Sequence, residues 1–459
     1  MDLKLLLAIL VGKSIRLLNK LLGTGATAAP GLYALKIDPS LVKKLSKNIK
    51  NGAIIISGTN GKTTTARLAS DILYTKHKII HNRQGSNLLR GIASTLIDNA
   101  SILGKIEADL ALWEVDEATL PQAIQNTSPK TVLLLNLFRD QLDRYGEVDS
   151  VRKKWQEALL KLPKDSTLIL NADDPGISFL SKFTKGNVIY FGVNDASINL
   201  PTIDHVADIK YCLNCSSKLI YSSLLSAHLG NYHCPHCGFK RPTPNTYATN
   251  LKFSSDFSTS AKITINRQPL TINYPLPGLY NVYNILASVA LSNTFNAEFQ
   301  IIKEKTEKFS AAFGRFQKLK VNGKKIIIFL IKNPTGANEV LRTLAPADKL
   351  NLLVILNDKI ADGRDVSWIW DTNWETLNKK INRLSISGTR AWDMATRLKY
   401  ADFELSKNNI YREIYYSILD SVRKLNNKNT LIILPTYTSL LQVQKSLSKL
   451  GTGIKWYKQ

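Results

Sequence analysis

Residues 53–65 read AIIISGTNGKTTT, and the order of residue types in this stretch decides the fold. An apolar run typical of a buried strand leads into a loop with two glycines, and a helical pattern continues from Ala66 to Leu73. In such a unit, backbone N–H groups and the helix N-terminus can surround phosphate oxygens. The lysine can contact the β- and γ-phosphate oxygens, and the threonine hydroxyl can bind Mg²⁺. A glycine turn without a ligand is the alternative. The predicted nucleotide-binding residues are Gly58, Thr59, Asn60, Gly61, Lys62, Thr63 and Thr64.

Two carboxylates follow the apolar strand at residues 110–113. Glu114 and Asp116 stand where the strand ends, and α/β sheets present their ligands at the carboxyl ends of strands. A carboxylate there can bind Mg²⁺ directly or through water, with the Thr63 hydroxyl as a second ligand. The alternative is a solvated turn.

The remaining pattern indicates an α/β fold with a parallel-rich sheet. Further apolar runs at 131–135, 168–170 and 188–191 are separated by helical stretches, as in a parallel sheet covered on both faces. Strands at 326–329, 352–356 and 431–434 indicate a second, Rossmann-like α/β domain. The predicted parts are an N-terminal helical segment (1–45), a central ATP-binding domain (46–297) and a C-terminal domain (298–459).

All four cysteines lie in an insertion predicted at about 204–244. They form two C-x₂-C pairs separated by 18 residues, a spacing typical of a structural zinc site. Two disulfides are the alternative, and the lack of a recognisable secretion signal disfavours them. Four thiolates leave no open position on zinc, so His233 and His236 are expected near the metal without binding it. The predicted ligands are Cys212, Cys215, Cys234 and Cys237.

A second group of acids follows the strand at 352–356. Asp358, Asp362, Asp365 and Asp371 cluster there, with Gly363 permitting a tight turn. A loop held by local turns in which the Asp side chains accept backbone hydrogen bonds is the alternative. No Cys or Ser–His pair stands beside these acids to complete a hydrolytic triad within the chain.

The composition is that of a globular protein with a strong positive charge. The 459 residues are 44% hydrophobic and carry a formal net charge of +25, which excludes collagen and a long disordered chain. Such a charge attracts nucleic acid, anionic lipid or phosphorylated substrates, and compositional drift towards Lys is an equal alternative. No run of five Lys or Arg occurs, so no basic arm for nucleic acid is expected.

The first residues predict an amphipathic helix. The apolar run from Leu5 to Gly12 is short, is followed by Lys13 and Arg16, and ends without a signal-peptide cleavage site. No apolar run reaches the 18 residues expected of a membrane span. This helix either packs on the body, which is the favoured interpretation, or lies near a membrane surface.

The loop at 58–65 resembles the ATP loop of the Mur ligase family, which joins amino acids to peptidoglycan precursors through acyl phosphates. The resemblance implies ATP and Mg²⁺ as cofactors, Lys62 and Glu114 as catalytic residues, Thr63 and Glu114 as metal ligands, and Asn281, Asn284 and Arg315 at the nucleotide. Three positions depart from the family pattern: Tyr280 and Gln141 replace the usual His, and Gln317 replaces an expected acid. The departures at Tyr280 and Gln141 argue against ordinary amino-acid ligation, and the one at Gln317 weakens any role assigned to that position.

Three features together resemble a narrower subfamily, the MurT-type synthetase subunits of lipid II isoglutaminyl synthase. They are the four-Cys insertion, the NLFRDQ run at 136–141 and the DGRDVSWIWD run at 362–371, within a resemblance extending from about Ala29 to Leu441. It implies ATP-dependent amidation of the D-glutamate α-carboxyl of the lipid II stem peptide to D-isoglutamine, at the inner face of the cytoplasmic membrane.

The same resemblance implies a heterodimer. Ammonia would come from a separate glutaminase subunit of the GatD type, whose Cys and His are completed by an Asp of this chain, with Asp362 preferred and Asp365 second. No nucleic-acid partner is expected. The alternatives are a Mur-type ligase that adds an amino acid to a cell-wall precursor, and a nonenzymatic nucleotide and zinc scaffold that binds nucleic acid.

Overall fold

The computed structural model describes residues 2–22, 28–83, 86–140, 148–202, 207–310, 315–427 and 429–451. The predicted site position Gln141 lies outside these ranges, as does the start of the predicted insertion at 204–206. The helices of the described residues are α1 (Leu3–Leu21), α2 (Ala29–Ile37), α3 (Leu41–Ser46), α4 (Lys62–Leu73), α5 (Leu89–Asn99), α6 (Leu120–Thr127), α7 (Val148–Leu159), α8 (Pro175–Ser178), α9 (Leu279–Thr294), α10 (Phe299–Glu307), α11 (Pro334–Leu344), α12 (Ala391–Tyr400), α13 (Ile414–Arg423) and α14 (Tyr437–Lys449).

The strands of the described residues form two large sheets and one hairpin. They are β1 (Ala53–Ser57), β2 (Ile79–His81), β3 (Leu110–Val115), β4 (Thr131–Leu134), β5 (Thr167–Asn171), β6 (Asn187–Val193), β7 (Ile220–Ser226), β8 (Leu229–His233), β9 (Thr246–Phe253), β10 (Thr259–Ile265), β11 (Gln268–Tyr274), β12 (Phe316–Val321), β13 (Lys324–Phe329), β14 (Leu350–Ile355), β15 (Ile381–Ser387) and β16 (Thr430–Pro435).

The first sheet has the order β11-β10-β9-β6-β5-β4-β1-β3-β2. Neighbours from β2 to β9 pair in parallel, and β9, β10 and β11 pair antiparallel. All residues of β1, β3 and β4 are buried, because helices cover both faces of the sheet. Strand β1 lies between β3 and β4, and this arrangement opens a crevice at their carboxyl ends.

The second sheet has the order β12-β13-β16-β14-β15. Only the edge pair β12–β13 is antiparallel, so β13, β16 and β14 end at the same edge. The two sheets confirm the predicted α/β fold with parallel-rich sheets. The predicted domain boundaries stay a prediction.

One cluster of buried apolar side chains joins the two sheets. It contains Ile54 and Ile56 of the first sheet, much of α9, and Phe316 and Phe329 of the second sheet. The rings of Phe316 and Phe329 lie 5.0 Å apart, and the ring of Phe257, from the turn between β9 and β10, lies 5.6 Å from Phe329. The sheets are therefore held together by apolar packing.

The opposite face of the first sheet packs against the N-terminal helices. Ala8 and Ile9 of α1 join Ile92 and Ile97 of α5 in a second buried cluster. This contact confirms the packing expected for the first helix. Among the described helices, none is both long and apolar enough to cross a bilayer.

Candidate active site

The glycine loop lies at the carboxyl edge of the first sheet. It follows β1, while the segments after β3 and β4 flank it on either side. The N–H of Asn60 donates to Asn136 Oδ1 at 2.9 Å, and Asn136 Nδ2 donates to Asn60 O at 3.1 Å. On the same side, Phe138 N donates to Thr59 Oγ1 at 3.0 Å. The run at 136–138 therefore holds the loop in shape.

Gly61 ends the loop in a conformation that other residues rarely adopt. Its φ is +91°, and a Cβ atom built on it would lie 2.0 Å from Asn284 Oδ1. Helix α4 begins at the next residue, Lys62. A side chain at position 61 would thus both strain the backbone and displace the asparagine that approaches the loop.

Lys62 is buried and paired with Glu117, a carboxylate that was not among the predicted site residues. Its Nζ donates to Gly58 O at 2.5 Å and lies 2.9 Å from Glu117 Oε2 and 3.9 Å from Asp116 Oδ1. Burial by itself would lower the pKa of Lys62, but the charges of Glu117, Asp116 and Glu114 outweigh it and raise the pKa above the ordinary value. The ammonium is therefore charged and positioned over the loop.

The pKa of the Glu117 carboxylate shifts in the opposite direction to that of Lys62. Burial would raise the pKa of Glu117, yet the ammonium groups of Lys62 and Lys332 outweigh burial and hold it below its ordinary value. Glu117 follows the same strand end as Glu114 and Asp116. The strand-exit rule that selected those two acids could have selected Glu117 as well.

The Thr63 hydroxyl brings three distant parts of the chain together. It donates to Glu114 Oε1 at 2.6 Å and accepts from Arg315 Nη2 at 3.0 Å. Asn87 Nδ2 also donates to Glu114 Oε1, at 2.9 Å, which orients the carboxylate. A hydroxyl oxygen and a carboxylate oxygen at this separation are hard ligands of the kind that Mg²⁺ prefers.

A cavity beside the loop contains the two predicted asparagines of α9. Asn281 and Asn284 line it together with Tyr280, Phe138 and Arg315. Asn284 Nδ2 donates to Asn281 Oδ1 at 3.2 Å, and Asn281 Nδ2 donates to Pro277 O at 2.7 Å. The structure thus places the loop, both asparagines and Arg315 around one space.

Gln317 points elsewhere. Its side-chain oxygen accepts a hydrogen bond from Gln444 Nε2 of α14, within the second sheet and its helices. The departure from an expected acid at this position therefore does not alter the surroundings of the loop.

Two residues between strand β13 and helix α11 reach the loop without having been predicted. Lys332 Nζ lies 2.7 Å from Asp140 Oδ2 and 3.4 Å from Thr59 O. Asn333 Nδ2 donates to Asn60 Oδ1 at 3.1 Å, while Asn333 Oδ1 caps α11. Both residues follow the apolar strand β13, so their position after a strand end could have predicted them as site residues.

The C-terminal acids lie at the carboxyl edge of the second sheet and differ in their surroundings. Asp362 is buried, and its carboxylate accepts hydrogen bonds from Thr438 N at 2.7 Å, the Thr438 hydroxyl and Lys359 N. Asp365 is exposed and accepts from Ser367 N at 2.8 Å. Asp358 lies 3.0 Å from Arg390 Nε, and Asp371 lies 3.9 Å from Arg139 Nη1.

The four cysteines converge as predicted into a group that can hold a metal ion. Their sulfurs all lie within 4.8 Å of one another, with 3.4 Å between Cys212 and Cys237 and between Cys215 and Cys234. Four thiolates around zinc at about 2.3 Å would lie about 3.8 Å apart, so the arrangement fits. His233 and His236 are exposed and do not belong to the group.

The insertion also forms part of the cavity wall. Ser226 and Leu229, at the tip of the β7–β8 hairpin, line the cavity. Beyond the cysteines, Arg241 Nε lies 2.5 Å from Asp173 Oδ1, and the Tyr283 hydroxyl of α9 donates to Asp173 Oδ2 at 2.8 Å. The insertion is thereby tied to the helix that carries the asparagines.

Comparison with known proteins agrees with this geometry. The Mur ligase middle domain matches residues 56–226, and the MurT ligase C-terminal domain matches residues 330–440. The MurT subunit of lipid II isoglutaminyl synthase (glutamine-hydrolyzing) from Staphylococcus aureus (strain COL) is 33% identical over 450 residues, covering 97% of this chain and 98% of the relative. The chain belongs to the MurT family. The MurT subunit of Streptococcus pneumoniae is 32% identical over 456 residues, covering 98% of both chains.

Solved structures show that the MurT family fold is shared with Mur ligases. The pseudomurein peptide ligase type C of Methanothermus fervidus aligns with a TM-score of 0.66 at 21% identity, covering 89% of this chain and 80% of that one. MurF of Thermotoga maritima, in complex with ADP, aligns with a TM-score of 0.64 at 14% identity, covering 91% of this chain and 84% of that one. These comparisons confirm both the predicted family and the predicted fold.

Proposed function

We propose that this chain is the ATP-dependent synthetase subunit of a lipid II isoglutaminyl synthase and amidates the D-glutamate α-carboxyl of the stem peptide. One observation carries the proposal. In a chain that matches MurT subunits along nearly its whole length, Thr63, Glu114 and Arg315 meet at the end of a glycine loop. This is an arrangement suited to phosphoryl transfer, which depends mainly on positioning and charge.

The chain's own residues serve the first half of the reaction. Backbone N–H groups of the glycine loop and of the first turn of α4 bind phosphate oxygens, and Lys62 neutralises charge on the β- and γ-phosphates. Asn281 and Asn284 contact the nucleotide in the cavity, and Arg315 faces the transferred phosphoryl group. Thr63 and Glu114 would hold Mg²⁺, which supplies further charge stabilisation in the transition state.

The reaction has two steps whose atoms balance. A carboxylate oxygen of D-glutamate attacks the γ-phosphorus of ATP, the bond to the β-phosphate oxygen breaks, and ADP leaves. Ammonia then attacks the carbonyl carbon of the acyl phosphate, the carbon–oxygen bond to the phosphate breaks, and phosphate leaves carrying one of the ammonia protons. The product is D-isoglutamine within the stem peptide.

A glutaminase subunit of the GatD type supplies the ammonia in this proposal. An Asp that completes a partner's triad orients the His and stabilises its charged form, and this role requires a fixed carboxylate. Thr438 and Lys359 fix the Asp362 carboxylate, which supports Asp362 as the first choice. Asp365 remains the second choice because it is exposed.

The remaining parts of the proposal concern zinc and location. Cys212, Cys215, Cys234 and Cys237 bind a structural Zn²⁺ that has no part in the chemistry, since four thiolates complete its coordination. The complex works at the inner face of the cytoplasmic membrane, where lipid II presents its stem peptide.

The amidation is tested with the co-purified complex of this chain and the candidate glutaminase. Lipid II incubated with ATP, Mg²⁺ and glutamine should show, by mass spectrometry, the small mass decrease that replacing a hydroxyl by an amine produces. A reaction without Mg²⁺ is the control. An unchanged lipid II mass contradicts amidation, and a mass increase by one amino acid supports the ligase alternative instead.

The in-trans role of Asp362 is tested with Asp362→Asn and the matched variant Asp365→Asn. Asp362→Asn should lower glutamine-driven amidation at least about 100-fold and retain amidation with free ammonia. Gel filtration of the complex checks that the partner still binds. If Asp365→Asn shows this pattern and Asp362→Asn does not, the second choice replaces the first.

A further inference from the structure

Helix α1 carries an apolar surface on the side away from the protein body. Six leucines with exposed fractions between 39% and 75% recur at helical spacing along it. At 3.6 residues per turn they fall on one face. We name them the leucine stripe; its members are Leu3, Leu7, Leu10, Leu17, Leu18 and Leu21.

The orientation of α1 is fixed by its other face. Ala8, Ile9 and Gly12 are buried against the body. A Cβ atom at Gly12 would lie 2.8 Å from Ile97 Cδ1, so the two helices α1 and α5 approach closely there. Because this face is docked, the leucine stripe on the opposite face is turned to solvent.

Basic residues border the leucine stripe. Helical spacing places Lys4 on one side of it and Lys13 and Lys20 on the other. Helix α1 contains no Asp or Glu, and the whole chain carries a net charge of +25. An apolar face bordered by Lys is the pattern of helices that lie in the interface of an anionic membrane.

We infer that the leucine stripe and its flanking lysines form a docking surface for an anionic lipid bilayer. Leucine side chains enter the boundary between headgroups and acyl chains, while the lysine ammonium groups stay at the phosphate level. The inference rests on the proposed function, because the lipid-linked substrate of that function is anchored in a bilayer and an enzyme docked on the bilayer would meet it there. Its physical basis is the apolar stripe and its charge, which do not depend on the reaction.

Sedimentation with vesicles tests the surface, using the full chain alone and in complex with its glutaminase. The vesicles contain phosphatidylcholine alone or equal parts of phosphatidylcholine and phosphatidylglycerol. We expect binding to the second kind only, weakening as salt is added. The variant Leu7→Ser/Leu17→Ser should bind at least about tenfold more weakly.

The matched control removes two leucine-sized side chains elsewhere. Leu160 and Ile220 are exposed to a similar degree, so Leu160→Ser/Ile220→Ser should bind vesicles as the unaltered protein does. Absence of binding to phosphatidylglycerol vesicles overturns the inference. Binding by the chain alone that disappears in the complex also overturns the inference, because the glutaminase then covers the leucine stripe. A dimer in solution that Leu7→Ser/Leu17→Ser dissociates overturns it as well, because a second copy of the chain then covers the stripe.

Amidation of detergent-dispersed lipid II separates this inference from the proposed function. Normal turnover of Leu7→Ser/Leu17→Ser in detergent, together with reduced vesicle binding, supports the docking surface. Reduced turnover in detergent as well means that α1 serves the fold or the chemistry, and this result overturns the assignment. Failure of the unaltered complex to amidate in detergent overturns the proposed function while leaving the vesicle measurement valid.

Discussion

At the scale of single residues, the site depends on a buried charge pair. Lys62 and Glu117 have side-chain exposures of only 7% and 6%, and their charged atoms lie 2.9 Å apart. Taking both charges out of water is costly, and removing one partner leaves the other uncompensated. The pair therefore holds the Lys62 ammonium over the loop, and the folded protein should become less stable when either group loses its charge.

The stability contributed by this pair should depend on pH in two directions. The pKa of Glu117 is lowered, so its contribution is present above 4.5, the ordinary value, and is lost as the pH falls through the lowered pKa. The pKa of Lys62 is raised, so its contribution to stability is present below pH 10.5 and is lost as the pH rises through the raised pKa.

Lys62→Met should destabilise the protein by about 3–5 kcal/mol near neutral pH, because it leaves the buried Glu117 carboxylate without its cation.

Denaturant unfolding at a series of pH values measures these effects. The control is Lys62→Met/Glu117→Gln, which removes both charges and should recover much of the lost stability while remaining inactive. Its free energy of unfolding should also fall less steeply at the acid and alkaline ends. A Lys62→Met variant as stable as the double variant at neutral pH contradicts the pairing.

At the scale of elements, the four-Cys insertion connects the cysteine group to the cavity beside the glycine loop. The β7–β8 hairpin emerges from the cysteine group and places Ser226 and Leu229 in the cavity wall. From helix α11, Arg342 donates to Leu225 O in the same hairpin. Loss of the metal should therefore disturb the cavity as well as the insertion.

Zinc removal should lower stability and weaken ATP binding. We expect about one zinc per chain, and Cys234→Ser should lose it, with a melting temperature lower by roughly 5 °C or more. The KM for ATP should rise several-fold because the hairpin lines the cavity. His236→Ala is the control, since this exposed side chain lies outside the cysteine group. A metal-free protein with unchanged melting contradicts a structural zinc.

At the scale of the whole molecule, one edge of the second sheet faces both the glycine loop and the loop that contains Asp362. Strand β13 ends near Lys332 at the ATP loop, and β14 ends near the loop that contains Asp362. Strand β16 lies between them, so the strand ends are two spacings, or roughly 10 Å, apart. The site for ATP and the proposed surface for the glutaminase thus share one edge of one sheet.

The contact of Lys332 with the first sheet should be needed for turnover. Lys332→Met leaves the Asp140 carboxylate, which is 5% exposed, without its cation, and removes the contact with Thr59. We expect at least about a tenfold loss of kcat/KM for ATP with free ammonia as the nitrogen source. Lys320→Met, at an exposed position of the same sheet, should behave like the unaltered protein. Equal kinetics for both variants would remove Lys332 from the site.

The sequence alone was sufficient to predict the features whose residues are neighbours in the chain. The loop at 58–64, the acids after β3 and the two C-x₂-C pairs were all visible, because a strand, a glycine turn and a helix start impose local residue preferences. The resemblance to Mur ligases added Asn281, Asn284 and Arg315. Their positions around one cavity agree with that prediction, although their roles stay predictions.

Contacts between distant segments were decided only by the tertiary structure. The pairing of Lys62 with Glu117 rather than another acid, and the arrival of Lys332 and Asn333 at the loop, depend on how two sheets pack through a shared apolar core. Apolar packing is nondirectional, so a sequence pattern shows which faces are buried without showing which strand ends they bring together. The sequence by itself determined the α/β fold, the loop and the cysteine group, and tertiary packing decided which charges meet there.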